Sequence, residues 1–458
     1  MTDTGFGLWH DVADEPRTGR PPLPGDRSVD VAIVGAGYTG LWTAYYLLQR
    51  RPSLRIAILE REFAGSGASG RNGGWCSGIF PASWRRTAQE GGKEAVVRLQ
   101  TALNNTVDEI GRVVEAEGIA CDFQKGGYVS VARNAAQWAR AQAEVRAARE
   151  WGIEADTVDL LAPGEAQRRL QASGVLGGTF APHCAVIQPA QLVRGLARTV
   201  VARGAAIYEK TTVTGVSPGR VVTDCGTVSA EAVLVATEGS PSGIPGRHRD
   251  LVPMYSLMVA TEPLDSGTWD RIGLLARETF SDKRHLRIYG QRTADGRIAF
   301  GGRGAPYHFG SRVDPRFERD SPVHAMLRHV LADLLPGLPR NVRFTHAWGG
   351  TLGVPRDWYP AVHFDRESRI GFAGGYVGDG VALSNLSARV LADLIVGGDS
   401  VLTDLPYVGR RSPRWEIEPL RWMGVNAVTE IFRSADRVEA RSGQPAKRAA
   451  WFWRSIGH

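Results

Sequence analysis

The stretch Val31-Ala32-Ile33-Val34-Gly35-Ala36-Gly37-Tyr38-Thr39-Gly40 limits the fold more than any other part of the chain. Asp30 to Val34 is a short, almost wholly apolar run between turn residues, the pattern of a strand buried on both faces. Three glycines follow at G-x-G-x-x-G spacing, and Leu41 to Arg50 then takes up a helical pattern. In that arrangement the first glycine makes the tight turn, the second admits a pyrophosphate close to the backbone, and the third lets helix and strand pack closely. The free N–H groups of the new helix point at the phosphates. Leu54 to Glu60 predicts a second strand. Glu60 stands at its end, where an acid accepts hydrogen bonds from an adenosine ribose. A βαβ unit without a ligand is the plainer alternative, because glycine-rich turns are common.

Composition narrows the class. The 458 residues suffice for two or three domains with sizeable cores. Hydrophobic content of 43% and charge of 22% are ordinary for a globular chain. The four cysteines, Cys76, Cys121, Cys184 and Cys225, show no C-x-x-C or His/Cys ligand spacing, so neither a metal site nor a disulfide framework is expected. That usage suits a reducing cytoplasm. No signal peptide and no transmembrane segment are expected. The net charge of +7 is concentrated in the tail, where residues 406–458 carry ten Lys/Arg against five Asp/Glu. A basic tail could meet nucleic acid or acidic lipid, but no aromatic-and-basic recognition motif accompanies it, and a solvated helical face is the favoured reading.

Further along, Phe63-Ala64-Gly65-Ser66-Gly67-Ala68-Ser69-Gly70-Arg71-Asn72-Gly73-Gly74-Trp75-Cys76-Ser77-Gly78 is too rich in glycine and serine to pack a core. It reads as a loop whose N–H groups and polar side chains wrap a polar ligand. Residues 88–118 and 134–151 predict helices, with Val96, Leu99, Leu103, Val107 and Ile110 at spacings of three and four. Pro189 to Gly204 predicts another. Ala232-Val233-Leu234-Val235-Ala236-Thr237-Glu238-Gly239 predicts a buried parallel strand that returns to the first sheet. Residues 250–310 alternate as an antiparallel sheet would. Last, Arg369 to Val381 is a short strand, then the turn Gly374-Gly375-Tyr376-Val377-Gly378-Asp379-Gly380, then a helix with Leu383, Leu386, Val390, Leu391 and Leu394.

Gly35–Gly40 with Glu60, the Ala-Ser-Gly-Arg-Asn-Gly-Gly loop, the strand ending Ala-Thr-Glu-Gly and the late Gly-Tyr-Val-Gly-Asp-Gly turn occur together and in this order. Over about residues 6–405 the chain resembles the D-amino-acid oxidase superfamily of FAD enzymes. Within that superfamily it looks most like the branch of gamma-glutamylputrescine, glycine and sarcosine oxidases. The resemblance implies a fold of α/β plus α+β class. A discontinuous Rossmann-like FAD-binding domain, a mixed sheet with flanking helices, would comprise 28–87, 165–245 and 340–405. A substrate domain with a large antiparallel sheet would comprise 88–164 and 246–339, and 406–458 would be a basic helical extension.

The reaction implied is oxidation of a C–N bond in a small amine or amino acid, with hydride passing to flavin N5, the imine hydrolysing, and oxygen or another acceptor reoxidising the flavin. Cofactor contacts are implied at Gly35, Ala36, Gly37, Tyr38, Thr39, Gly40, Glu60 and Arg61. The loop would add Ala68, Ser69, Arg71, Asn72, Gly73, Gly74, Trp75 and Cys76. Later segments would add Val213, Thr237, Gly239, Gly378, Asp379, Gly380 and Val381. Arg303, Trp348 and Tyr255 are the pocket candidates, each weighed against ordinary packing. Cys76 follows Trp75 where some relatives attach FAD covalently through a His, so a thioether link stands as an alternative to non-covalent FAD. The tail would cover the FAD domain or meet a second copy in a homo-oligomer. The rivals are a flavin monooxygenase using NAD(P)H and, in another class, a nucleic-acid or membrane-binding protein.

Overall fold

A computed structural model describes residues 5–14, 19–239, 246–319 and 322–449. Its first sheet has the order Ala361–Asp365, Ile370–Gly374, Gly226–Val235, Arg27–Val34, Ile56–Leu59, Ala206–Tyr208. The five strands from Ile370–Gly374 onward run parallel, and Ala361–Asp365 closes one edge antiparallel. A hairpin, Val213–Ser217 with Arg220–Thr223, extends Gly226–Val235 to one side. Period-two alternation explains the apolar opening run. Val31 and Ile33 enter one core, and Ala32 and Val34 enter the core on the opposite face. Such a strand has no solvent face, so polar alternation is absent from its sequence.

Helix Tyr38–Arg50 packs on this sheet because Gly40 lacks a side chain; a Cβ there would collide with Gly35 O and press on Ile33. Helix Gly380–Val396 packs beside it, and Arg50 Nε donates to Asp393 Oδ1 at 2.7 Å across the pair. Helices Gly92–Ala116 and Pro189–Ala202 complete the layer, with Leu99, Leu103, Val107 and Ile110 joining Leu192, Leu196 and Leu386 in one core.

The second sheet has the order Phe344–Val354, Val252–Thr261, Ile298–Gly302, Ile288–Arg292, Thr279–Asp282, Tyr128–Ala132, Gly177–Ala181, Asp159–Leu161. All its pairs are antiparallel except Thr279–Asp282 with Tyr128–Ala132. Helices Ala135–Glu150 and Pro322–Leu334 flank it. A ribbon of Trp75–Ser77 with Cys184–Val186 lies between the sheets.

The fold is of α/β plus α+β class, and three segments lie elsewhere than the expected divisions put them. Strands Gly177–Ala181 and Phe344–Val354, expected with the FAD domain, pair in the second sheet. Helix Gly92–Ala116, expected with the substrate domain, belongs to the core of the first sheet. A helix's apolar stripe shows that it is covered but not by which sheet, and short strands carry no mark of their partner. The C-terminal helix Leu420–Ser442 packs on the second-sheet side, where Asp436, Arg433 and Asn426 bond segments 285–286 and 304–307. The apolar run Trp451-Phe452-Trp453 lies outside the described residues. Among the described residues, no helix is long and apolar enough to cross a membrane.

Leu386 is fully buried where the two central helices meet the core. Leu386→Ala is expected to destabilise the apoprotein by about 2–5 kcal/mol, read as a lowered denaturation midpoint. An unchanged midpoint would show that this helix pair does not limit stability.

Candidate active site

Parallel strands present their C-terminal ends along one edge, and three chain segments converge there. Gly35 adopts φ +105°, and a Cβ on it would lie 2.7 Å from Ala236 O, so backbone meets backbone at the turn. A Cβ at Gly37 would lie 2.9 Å from Ser69 Oγ. That hydroxyl accepts from Tyr38 N–H at 2.9 Å, at the open end of helix Tyr38–Arg50. Glu60 is held by two backbone donors, Ala36 N–H at 2.9 Å and Glu62 N–H at 3.0 Å. Burial raises its carboxyl above the usual value, and those two donors pull the other way.

A groove runs from this point between the strand ends and the glycine-rich loop. Of the expected contacts, Gly35, Gly37, Tyr38, Thr39, Glu60 and Arg61 line it on the strand and helix side. Ala68, Ser69 and Asn72 line it from the loop, and Val213, Thr237 and Gly239 from the distal strands. Gly378, Gly380 and Val381 line it at the N-terminal end of helix Gly380–Val396. Ala36 and Gly40 stand behind this wall, one orienting Glu60 and the other admitting the helix. Thr237 Oγ1 is buried and has no partner among the described residues. A groove with an open helix end, backbone too close for side chains, a fixed acid and an orphaned hydroxyl fits a dinucleotide.

The groove continues into a pocket between the two sheets, lined by Arg71, Gly73, Trp75, Ser256, Arg287, Tyr289, Arg303 and Asp379. The loop that forms one wall is clamped from three sides. Trp9 Nε1 donates to Asn72 O at 2.7 Å, Gln291 Nε2 to Gly73 O at 2.9 Å, and Trp348 Nε1 to Arg71 O at 3.0 Å. Asn72 Oδ1 accepts from Gly74 N–H at 2.8 Å, which closes the loop on itself. Arg71 pairs with Glu318. Tyr289 hydrogen-bonds Ser256 at 2.8 Å, and its ring covers Gly301 and Gly73, where a Cβ would overlap it.

Charge in the pocket is concentrated on one side. Arg303 Nη2 donates to Val377 O at 2.6 Å, and Arg287 Nη1 lies 4.0 Å from Asp379 Oδ2. Burial lowers the Arg303 guanidinium to about 10, with Arg287 adding to the effect, and it stays cationic at neutral pH. Burial raises Asp379, while Arg287 and Arg303 oppose that rise.

Besides Ala36 and Gly40, four expected residues line neither cavity: Tyr255, Trp348, Cys76 and Gly74. Tyr255 points to the other face of its strand, where its hydroxyl accepts from Asp314 N–H at 2.9 Å; Ser256, the next residue, faces the pocket. Trp348 is buried behind Arg71 and positions the loop from there. Cys76 lies between Trp75 and Ser77, which both line the pocket, so period-two alternation turns its thiol into the core at 0% exposure. Burial pushes that thiol far above its usual pKa. Gly74 contacts Gln291 and Ile187 rather than the cavity.

Sequence reading missed Arg287, Tyr289, Ser256 and Glu238. The first three were legible only as alternation along strands, with nothing to say which face meets the pocket. Glu238 sits at φ +41° inside the Ala-Thr-Glu-Gly motif, an unusual backbone for a non-glycine residue. Its carboxylate accepts from Gly375 N–H at 2.9 Å and Tyr376 N–H at 3.2 Å, tying the middle strand to the late glycine turn.

Burial lifts Glu238 to about 7 from 4.5, against the pull of the N–H groups of Gly375, Tyr376 and Gly353. A folded-state pKa above the unfolded one means the folded chain keeps a proton that the unfolded chain has released. The stabilisation is therefore complete below about pH 4.5, declines as pH rises, and is lost above about pH 7. Denaturation of the apoprotein across this window is expected to show falling stability, and Glu238→Gln to flatten the slope. An equally steep slope in that variant would assign the dependence to another group.

Comparison with known proteins agrees with this geometry. Residues 30–394 match the family model DAO, FAD dependent oxidoreductase. The probable oxidoreductase OrdL of Rhizobium meliloti (strain 1021) is 31% identical over 405 residues, covering 86% of this chain and 89% of its own. Gamma-glutamylputrescine oxidoreductase of Escherichia coli (strain K12) is 27% identical over 374 residues, covering 80% and 84%. The crystal structure of glycine oxidase from Geobacillus kaustophilus superposes with a TM-score of 0.70 at 23% identity, over 84% of this chain and 100% of that one. The chain is a member of the DAO family of FAD-dependent oxidoreductases.

Proposed function

We propose that the chain oxidises the C–N bond of a small amine or amino acid bearing a carboxylate, with FAD bound non-covalently. The observation that carries this reading is the pocket that opens from the dinucleotide groove between the sheets, walled by Trp75 and Tyr289 and charged by Arg287 and Arg303. Bound FAD would supply the hydride acceptor. The glycine turn at Gly35–Gly40 would hold its pyrophosphate and Glu60 its ribose. The N-terminal end of helix Gly380–Val396 would face the pyrimidine edge, where a helix end stabilises negative charge by about 0.3–1 kcal/mol, more when buried.

Arg303 and Arg287 would bind the substrate carboxylate and so orient the carbon next to nitrogen. The aromatic walls would exclude water from that carbon. Among the described residues lining the pocket there is no His, Lys or Glu, and its one carboxylate, Asp379, is engaged as counter-ion to Arg287 and Arg303. The amine would therefore lose its proton to solvent before oxidation, and the protein's part would be placement and electrostatics. Gamma-glutamylputrescine oxidoreductase and glycine oxidase, by their names, act on an amine and an amino acid, which supports the reaction class. No observation favours the monooxygenase or the nucleic-acid reading.

An anaerobic screen of amines and amino acids is expected to bleach the flavin without nicotinamide. Bleaching by NAD(P)H alone, or by no amine, would overturn the assignment. Among the substrates found, Arg303→Met is expected to lower kcat/KM for those with a carboxylate by about 1.5–3 kcal/mol, on the order of ten- to a hundredfold. Amines without one should be little affected.

Acid precipitation of the holoenzyme is expected to leave the yellow colour in the supernatant, since the Cys76 thiol faces the core. Colour retained in the pellet would instead establish a covalent bond.

A further inference from the structure

Arg287 and Arg303 stand opposite one another just past the paired ends of two strands of the second sheet, where the regular ladder stops. Strand Thr279–Asp282 ends before Arg287 and the next begins at Ile288; strand Ile298–Gly302 ends one residue before Arg303. Irregular backbone keeps one position only if its polar groups find partners elsewhere. One bond continues the strand register: Arg303 N–H donates to Arg287 O at 3.0 Å and links the two segments.

Beyond it, helix Leu420–Ser442 supplies partners to both segments. Asp436 accepts from His285 N–H at 2.7 Å and Leu286 N–H at 2.9 Å, one carboxylate oxygen to each. Arg433 Nη2 donates to Gly304 O at 2.7 Å. Asn426 accepts from Tyr307 N–H and donates to Tyr307 O, both at 3.0 Å, completing that peptide's hydrogen bonding as a neighbouring strand would. Three side chains on one helix thus hold the backbone beside both cleft arginines. Next to them Glu439 pairs with His285 and with Arg140, and that guanidinium makes the cluster an ion-pair network rather than a cation site. The helix lies beyond residues 30–394, the part shared with the family model.

We propose that Asp436, Asn426 and Arg433 are positioning residues, through which the C-terminal helix sets where Arg287 and Arg303 stand and hence how tightly the pocket holds a carboxylate. The inference rests on the reading of the pocket given above. Its test uses FAD-loaded protein and benzoate, a carboxylate whose ring can stack on a flavin and shift its absorption. Asp436→Ala is expected to raise the benzoate Kd about tenfold with FAD content unchanged. Asp436→Asn, which keeps one acceptor oxygen, should raise it less. Val438→Ser, at an exposed position of the same helix, should leave it at the wild-type value.

In an Arg287→Met background the Asp436→Ala loss should nearly vanish, because residues acting through one another are not additive. Hydrogen exchange of the apoprotein should quicken over residues 284–288 in Asp436→Ala. Equal losses in both backgrounds, an unchanged Kd despite faster exchange, or no benzoate binding by the wild type would each overturn the proposal. If the coupling holds while no amine bleaches the flavin, the positioning role stands and the assigned reaction falls.

Discussion

Backbone against backbone at Gly35 is the constraint on which the rest of the molecule depends. A Cβ at this turn would lie 2.7 Å from Ala236 O, so the first and middle strands reach the sheet edge with no side chain between them. The late turn at Gly374–Gly375 is drawn to the same edge by Glu238. Three segments far apart in sequence end within one groove, and only residues without bulk leave room for a ligand among them. The helices then have little choice. Tyr38–Arg50 must pass close to Gly35, and Gly380–Val396 must start where the third segment ends.

The pocket obeys a different logic. Several of its walls come from alternation along strands of the second sheet and of the Trp75–Ser77 ribbon, each wall being one side of a pleat. Ser256 faces in and Tyr255 faces out; Trp75 and Ser77 face in while Cys76 faces the core. Glycines at 73 and 301 leave space for one tyrosine ring. The chemistry assigned to the pocket depends on these parities, because a shift of one residue in any strand would exchange every inward group for its neighbour.

This contrast explains how far the sequence could be read. The dinucleotide groove was legible because its requirements are local. Gly35, Gly37 and Gly40, Glu60, the Arg-Asn-Gly-Gly loop and the Gly-Asp-Gly turn each answer a need within a few residues of themselves. Thr237, Arg61 and Val213 followed from the family resemblance and line the groove. The substrate side was legible only in part: Arg303, expected in the pocket, lines it, whereas Tyr289 enters through strand pairing that carries no local mark and Arg287 from the residue just before that strand. Trp348 illustrates the difference: it was a pocket candidate, yet it stands behind Arg71. The tail was legible in part: residues 407–409 bond the first-sheet strand Ala361–Asp365, while the helix lies on the second-sheet side. Its charge is visible in sequence, whereas its place against segments 285–286 and 304–307 depends on where three polar side chains meet backbone.

The clamp on the Arg-Asn-Gly-Gly loop also imposes an order on synthesis. Its three side-chain donors, Trp9, Gln291 and Trp348, span most of the chain, and two of them are translated long after the loop itself. A nascent chain can pair Arg27–Val34 with Ile56–Leu59 early, since their contacts are close in sequence. It cannot fix the cofactor loop until strand Phe344–Val354 has emerged and found its place. Contacts of such long separation are slow to form. For most of translation the loop is free, and the cofactor's seat is among the last parts of the molecule to be finished.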